Sequence, residues 1–151
     1  SFLLNPLWGR DLTLSAQVLG GPDAVVSLMV RSNPSAMAGY RVGLDFARNV
    51  VGFYLRFPDR PEQVIQERPL ALSPGEWHEL KVVVQWKFFE LFVDDTLAIV
   101  HDQRVYEDGC FGLHASGDAQ FRRVLAYTIE EPAWAQPAWS ERCQPRHLFP
   151  Y

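Results

Sequence analysis

Alternation of apolar and polar residues is the strongest signal in this chain. Residues 11–18 alternate strictly, and the apolar members of that run are Leu12, Leu14, Ala16 and Val18. A period of two residues is typical of a half-buried β-strand, whose successive side chains point to opposite faces. The same period recurs over residues 40–46, 80–84 and 89–93, and no stretch has a convincing helical period. The pattern therefore predicts a chain of short strands.

Further extended runs fill most of the sequence up to residue 129, with turn-forming residues between them. They cover residues 24–32, 51–57, 63–72, 97–100, 110–115 and 121–129. Pro69 interrupts one run, which predicts an edge strand, because proline cannot donate to a central ladder. Asn49 is placed in a turn, since asparagine tolerates positive φ. Many short strands separated by turn signals predict an all-β fold, an antiparallel β-sandwich formed by residues 1–129.

The last segment, residues 130–151, has a different character. It mixes four prolines with Trp134 and Trp139, which predicts a linker or a tail strapped across the domain by its tryptophans. The chain also begins at Ser1, without a methionine or a signal-peptide pattern. We therefore expect it to be processed or excised from a longer protein, and an extracellular location is the working expectation.

Composition and charge narrow the classes of partner. The 151 residues are 48% hydrophobic, which suits one globular domain. A net charge of -4 gives no basic footprint for nucleic acid, and no apolar run reaches the roughly 18 residues that cross a bilayer. We predict neither a nucleic-acid nor a membrane partner. Cys110 and Cys143 lack the spacing of a metal site. Either Cys110 is a buried thiol and Cys143 a free thiol in the tail, or the two form a disulfide.

No catalytic motif is recognisable. A retaining glycosidase needs two carboxylates about 5 Å apart, whereas Glu90 and Asp94 lie four residues apart, without the pattern Glu-x-Asp-x-x-Glu. The four histidines lack metal-ligand spacing, and there is no Gly-x-Ser-x-Gly elbow. We predict no catalytic residue, no metal and no cofactor, and enzymatic activity of the chain on its own is left as an alternative.

Five short motifs carry a family resemblance. They are Leu-Met-Val-Arg-Ser at 28–32, Gly-Tyr-Arg-Val at 39–42, Pro-Gly-Glu-Trp-His-Glu-Leu-Lys-Val at 74–82, Leu-Phe-Val-Asp-Asp at 91–95 and Gly-Cys-Phe-Gly-Leu at 109–113. Together they resemble the concanavalin-like jelly-roll superfamily. Within it, residues 12–129 are most similar to carbohydrate-binding module family 66 and to the C-terminal β-sandwich of glycoside hydrolase family 32, the fructosidases. Asp95 departs from the family, whose members usually have glycine there.

The resemblance implies a noncatalytic domain that binds fructan or another glycan, or that packs against an attached catalytic domain. In such modules an arginine and acidic side chains hold a terminal sugar. Arg31 matches that arginine and Asp102 matches an acidic residue of the family pattern. Glu67 is added from its position alone, and His114 because alternation places it on an outer sheet face. Two questions stay open at this point. The pocket lies either on the concave face or at the loop rim, and the sugar that it binds is not identified.

Two other functions remain as alternatives. One is a structural domain that packs on a neighbouring catalytic domain without binding a free ligand, which predicts an exposed apolar patch. The other is a laminin-G-like protein-recognition domain, for which a calcium site at the loop rim would be the sign.

Overall fold

The computed structural model describes residues 2–33, 35 and 37–128, with the backbone only for residues 2–9. The described residues form eleven strands and no helix, so none of them makes a helix that could cross a membrane. The strands are β1 (Phe2–Gly9), β2 (Leu12–Gly20), β3 (Val25–Ser32), β4 (Gly39–Asp45), β5 (Val50–Phe57), β6 (Arg60–Pro69), β7 (Trp77–Gln85), β8 (Phe88–Val93), β9 (Thr96–Asp102), β10 (Gly109–Ser116) and β11 (Ala119–Thr128).

The strands form two antiparallel sheets that pack face to face. One sheet has six strands in the order β1-β10-β3-β4-β5-β6, and the other has five in the order β11-β2-β7-β8-β9. This confirms the predicted all-β sandwich. Strand β6 is an edge of the six-stranded sheet, as Pro69 indicated.

Strand β1 is not among the strands that the sequence pattern predicts. It pairs with β10 at the other edge of the six-stranded sheet, and its register shifts between Asn5 and Trp8. Pro6 lies inside that shift, and edges and bulges are where a strand tolerates proline. A strand with this interruption has no clean two-residue period to detect.

Residues 129–151 lie outside the described residues, and with them Trp134, Trp139, Cys143 and the predicted boundary at residue 130.

The core lies between the sheets and follows the predicted alternation. Alternate residues of β2 and β7 are fully buried, as in the pattern from Leu12 to Val18. An aromatic cluster of Tyr40, Phe53 and Phe89 fills the middle, with ring centroids 4.7 to 5.6 Å apart. The Tyr40 hydroxyl accepts hydrogen bonds from the backbone N–H groups of residues 105 and 106 at 3.1 and 3.2 Å. The core thereby fixes the loop between β9 and β10.

The turn between β8 and β9 accommodates the residue that departs from the family pattern. Asp94 and Asp95 both have positive φ, 49° and 63°, as a two-residue type I′ hairpin turn requires. Aspartate enters this left-handed region more readily than most residues. The Asp94 carboxylate also accepts hydrogen bonds from the Glu79 backbone N–H and from His78 Nδ1, both at 2.8 Å. Glycine is therefore not required at position 95.

Candidate functional site

A polar depression lies on the outer face of the six-stranded sheet. Gly43 and Gly52 are directly paired on β4 and β5, and neighbouring side chains, those of Ser27, Arg41 and Tyr54, fill the space that their own side chains would take. Charged and aromatic side chains stand around them and enclose a cavity of about 190 Å³. We call this surface the polar trough and define it by Arg41, Gly43, Arg48, Gly52, Tyr54, Glu62 and Glu67.

Two arginine–glutamate pairs build the walls of the polar trough. Arg41 donates to both carboxylate oxygens of Glu62, at 2.9 and 2.8 Å, and to Ser27 Oγ at 2.7 Å. Arg48 donates to both oxygens of Glu67 at 2.9 Å. Bidentate pairs of this kind fix the planes of both partners as well as their distance. The walls are therefore held in a defined orientation without any ligand.

Tyr54 forms the floor of the polar trough. The Arg41 guanidinium lies 4.1 Å from the centroid of its ring, within cation–π range. A Cβ atom at position 52 would clash with the Tyr54 hydroxyl, so Gly52 is what allows the ring to lie there. The hydroxyl donates to Glu67 at 2.7 Å.

The protonation states of the polar trough follow from these contacts. Burial, with the hydrogen bond to Glu67 next, raises the pKa of Tyr54, so the phenol stays protonated and donates. The hydrogen bond from Arg48, and then that from Tyr54, lowers the pKa of Glu67, so this group stays a carboxylate. The polar trough therefore presents fixed charged donors and acceptors to a polar ligand.

Glu67 and His114, two of the four predicted site residues, lie on this outer face. One row of paired residues crosses the sheet and contains Glu67, Gly52, Gly43, Ser27 and His114. His114 is half-buried. Burial, followed by the positive charges of Arg41 and Arg56, lowers the pKa of His114. The imidazole is therefore neutral at neutral pH.

We expect His114 to make the stability of the domain depend on pH. Below the ordinary pKa of 6.5, the unfolded chain takes up a proton that the folded imidazole takes up only at lower pH. The free energy of unfolding therefore falls as pH decreases through this range. Denaturant titrations between about pH 8 and about pH 5 measure the slope, which spans the usual titration of histidine. His114→Gln should reduce that slope. The control His101→Gln should leave the contribution of His114 in place. An unchanged slope in His114→Gln would contradict the lowered pKa of His114.

Arg31 lies elsewhere, at the end of β3, and is almost fully buried, with 3% of its surface exposed. The side chain does not continue the alternation of β3, because Arg31 has a positive φ of 49°, which breaks the strand period. Its guanidinium donates to the carbonyls of residues 10, 86 and 106 and to the Asp11 carboxylate, the last at 3.3 Å. Burial lowers the pKa of Arg31, and Asp11 opposes this effect. Arg31 therefore ties three connecting segments together.

Asp102 lies at the end of β9, next to a residue that shares a cavity with Arg31. It is exposed, pairs with Phe88 and precedes Gln103, which lines a cavity of about 260 Å³. We call this cavity the end pocket; its lining residues are Arg10, Arg31, Trp86, Lys87, Gln103, Arg104 and Glu107. The four predicted residues are thus divided between two places. Their contact with a sugar stays a prediction.

The other residues of the polar trough are not among the predicted site residues. Alternation places Arg41 and Tyr54 on the outer face. It says nothing of Arg48, which follows β4, or of Glu62, which lies in the irregular edge strand β6. A register shift between β5 and β6 next to Tyr54 decides which residues of β6 face the polar trough. The available signal was the hairpin around Asn49, because the register of that hairpin places Gly43 opposite Gly52. No group of three or more potential metal ligands occurs in the part of the chain that the structure describes.

Comparison with known proteins gives one sequence relative and a set of solved structures. No family model matches the chain. Levanase of Bacillus subtilis (strain 168) is 28% identical over 128 residues, which cover 82% of this chain and 19% of the levanase. The chain thus spans about a fifth of that relative's length. The structure of the carbohydrate-binding module CBM66 from Bacillus subtilis matches with a TM-score of 0.78 and 27% identity, over 85% of this chain and 81% of that one.

Galectins have the same fold at lower similarity. Galectin LEC-6 of Caenorhabditis elegans matches with a TM-score of 0.61 and 12% identity over 87% of this chain and 90% of that chain, and this similarity concerns the fold alone. The chain is a CBM66-like β-sandwich of the jelly-roll type, which confirms the resemblance found in the sequence. The same two matches support the coarse description of the chain as a carbohydrate-binding module.

Proposed function

We propose that this chain is a noncatalytic module that binds fructan and is attached, in its parent protein, to a glycoside hydrolase. The similarity to the CBM66 structure over 85% of the chain carries the proposal. The levanase match supports fructan as the ligand, since levan is a fructan. That match covers 19% of the levanase, and a catalytic domain in the parent protein would lie outside this chain.

We place the fructan at the polar trough. Sugar hydroxyls both donate and accept hydrogen bonds, so they suit a surface with carboxylate acceptors and guanidinium donors side by side. The side chains of Glu62 and Glu67 keep 30% and 23% of their surface exposed, and that of Arg48 keeps 57%. Their remaining lone pairs and N–H groups can therefore reach a ligand. Because the ion pairs already fix these side chains, binding costs little side-chain entropy.

Glu67 is the residue whose replacement tests this assignment best. We expect levan and inulin to bind the wild-type chain in titration calorimetry. Glu67→Gln removes the charge and one of the two acceptors that orient Arg48 and Tyr54. The loss of charge-assisted hydrogen bonds is worth roughly 1.5–3 kcal/mol, so binding should weaken by about tenfold or more.

Glu90→Gln is the matched control. Glu90 lies on β8 in the five-stranded sheet, half-buried, and pairs with Val100 away from the polar trough. This variant should bind fructan as the wild type does. The absence of heat with levan, inulin and sucrose would overturn fructan binding. Equal affinities of the two glutamine variants would overturn the location.

A structural role is the second candidate, and an exposed apolar group favours it. Phe88, Leu97 and Val100, on β8 and β9, are 47%, 45% and 55% exposed. We propose that this group packs on the attached catalytic domain, which would remove it from water. In the parent protein, a double variant Leu97→Asp and Val100→Asp should lower the melting temperature of the neighbouring domain without changing fructan affinity. An unchanged melting temperature would contradict the packing.

A further inference from the structure

The end pocket gathers positive charge in a chain whose net charge is -4. Its lining includes Arg10, Lys87 and Arg104, and one acidic residue, Glu107. Among the described residues, none of these three cations forms an ion pair, in contrast to Arg41 and Arg48 of the polar trough. Cations brought together around a cavity repel one another, and an anion in the cavity relieves that repulsion.

Trp86 forms the aromatic wall of the end pocket in a strained conformation. Its φ is 54°, which is uncommon for a bulky residue. Its backbone N–H donates to Asp11 at 2.8 Å, and its carbonyl accepts from Arg31. Arg31 and Asp11 are themselves paired at 3.3 Å. Such strain persists where the surroundings hold the backbone on both sides, and it concentrates at ligand sites.

The Trp86 side chain is half-exposed at the same place. Its exposed fraction is 51%, and the Lys87 ammonium and Arg104 guanidinium lie 5.1 and 5.4 Å from its ring centroid. The Phe88 ring meets it edge-on at 6.0 Å. An apolar ring surface therefore borders unpaired cations. A ligand that matches both has an oxyanion next to a ring with an apolar face.

We propose that the end pocket is a second binding site, for a sugar that carries a carboxylate or phosphate group. Arg10, Lys87 and Arg104 hold the oxyanion, and Trp86 packs against the sugar ring. Arg31 acts as a positioning residue, because the hydrogen bonds from its Nε, Nη1 and Nη2 atoms to the protein hold its guanidinium in place. The two sites differ in selectivity, since Glu62 and Glu67 balance the charges of the two arginines of the polar trough, whereas these three cations of the end pocket have no such partners in the described part of the chain.

Calorimetry on the whole chain tests the second site with glucuronate, fructose 6-phosphate, fructose and inorganic phosphate as separate titrants. We expect one or both acidic sugars to bind more tightly than fructose or inorganic phosphate. Binding of glucuronate alone identifies a carboxylate site, and binding of fructose 6-phosphate alone identifies a phosphate site. Affinity should fall between about 0.05 M and about 0.5 M NaCl, because salt screens exposed charges.

Arg104→Gln is the decisive variant, because Arg104 is exposed and its loss leaves the core intact. It should weaken the acidic sugar by about tenfold, the loss typical of a charge-assisted hydrogen bond, and leave levan affinity unchanged. Arg68→Gln, on edge strand β6, is the matched control and should leave both affinities unchanged.

Three results would overturn the second site. They are no preference for acidic sugars over fructose, equal binding of inorganic phosphate and the acidic sugars, or an unchanged affinity in Arg104→Gln. None of them depends on fructan binding, which is measured with levan and with Glu67→Gln. A failure of one site is therefore distinguishable from a failure of the other.

Discussion

Replacing Arg31 with methionine will lower the free energy of unfolding by about 3–5 kcal/mol, the range found when one partner of a buried ion pair is removed. The guanidinium donates to three backbone carbonyls and to the Asp11 carboxylate, and 2% of its side-chain surface is exposed. Methionine fills part of the volume but donates no hydrogen bond, so these acceptors lose their partner where water has little access. Denaturation in urea, followed by circular dichroism, measures the loss.

Arg68→Met is the control for this prediction. Arg68 is exposed and donates one hydrogen bond, to the Ala98 carbonyl. A surface contact of this kind contributes less than about 1 kcal/mol. If the two methionine variants lose the same small amount of stability, the contacts of Arg31 do not hold the connecting segments together. Arg31 would then be free to serve as a ligand residue instead.

Replacing Phe89 with alanine will also lower the free energy of unfolding by about 3–5 kcal/mol, through lost burial and the cavity that remains. Phe89 is fully buried. Its ring centroid lies 4.7 Å from that of Tyr40 and 5.0 Å from that of Phe53, and Arg31 lies 5.2 Å from it. The substitution therefore removes the centre of the aromatic cluster beneath the end pocket. Guanidinium denaturation gives the change.

The preceding residue provides the control for Phe89. Phe88 has the same side chain but points to the opposite face of β8, where it is 47% exposed. Phe88→Ala should cost less than about 1 kcal/mol. Equal losses in the two alanine variants would contradict the assignment of inward and outward faces on this strand.

The strand alternation was readable from the sequence because it is a local property. Side chains of a strand point alternately to its two faces. Burial of one face therefore gives the sequence an apolar residue at every second position, as from Leu12 to Val18. The edge position of β6 was also readable locally, because Pro69 cannot donate a hydrogen bond to a central ladder. Strand β1 was missed for the corresponding reason, since an interrupted ladder leaves no regular period.

The candidate sites could be read only in part. Glu67 and His114 were placed on an outer face by position and alternation, and they lie on one. The partners of Glu67 could not be found in this way, because Arg48 is 19 residues away in the chain and reaches it only after β5 and β6 pair with a shifted register. Trp86 was not found because alternation does not predict its positive φ angle. Arg31 was named as a site residue, but its positive φ and its burial were not predicted.

The sequence by itself therefore determined the strands other than β1, the inward faces and the sandwich, together with the family resemblance. The tertiary structure decided which polar residues meet: the Arg41–Glu62 and Arg48–Glu67 pairs of the polar trough, and the cations around Trp86 in the end pocket. The physical reason is the range of the interactions. Burial of alternate residues acts along one strand, whereas a site depends on register, bulges and turns that bring distant residues to the same face.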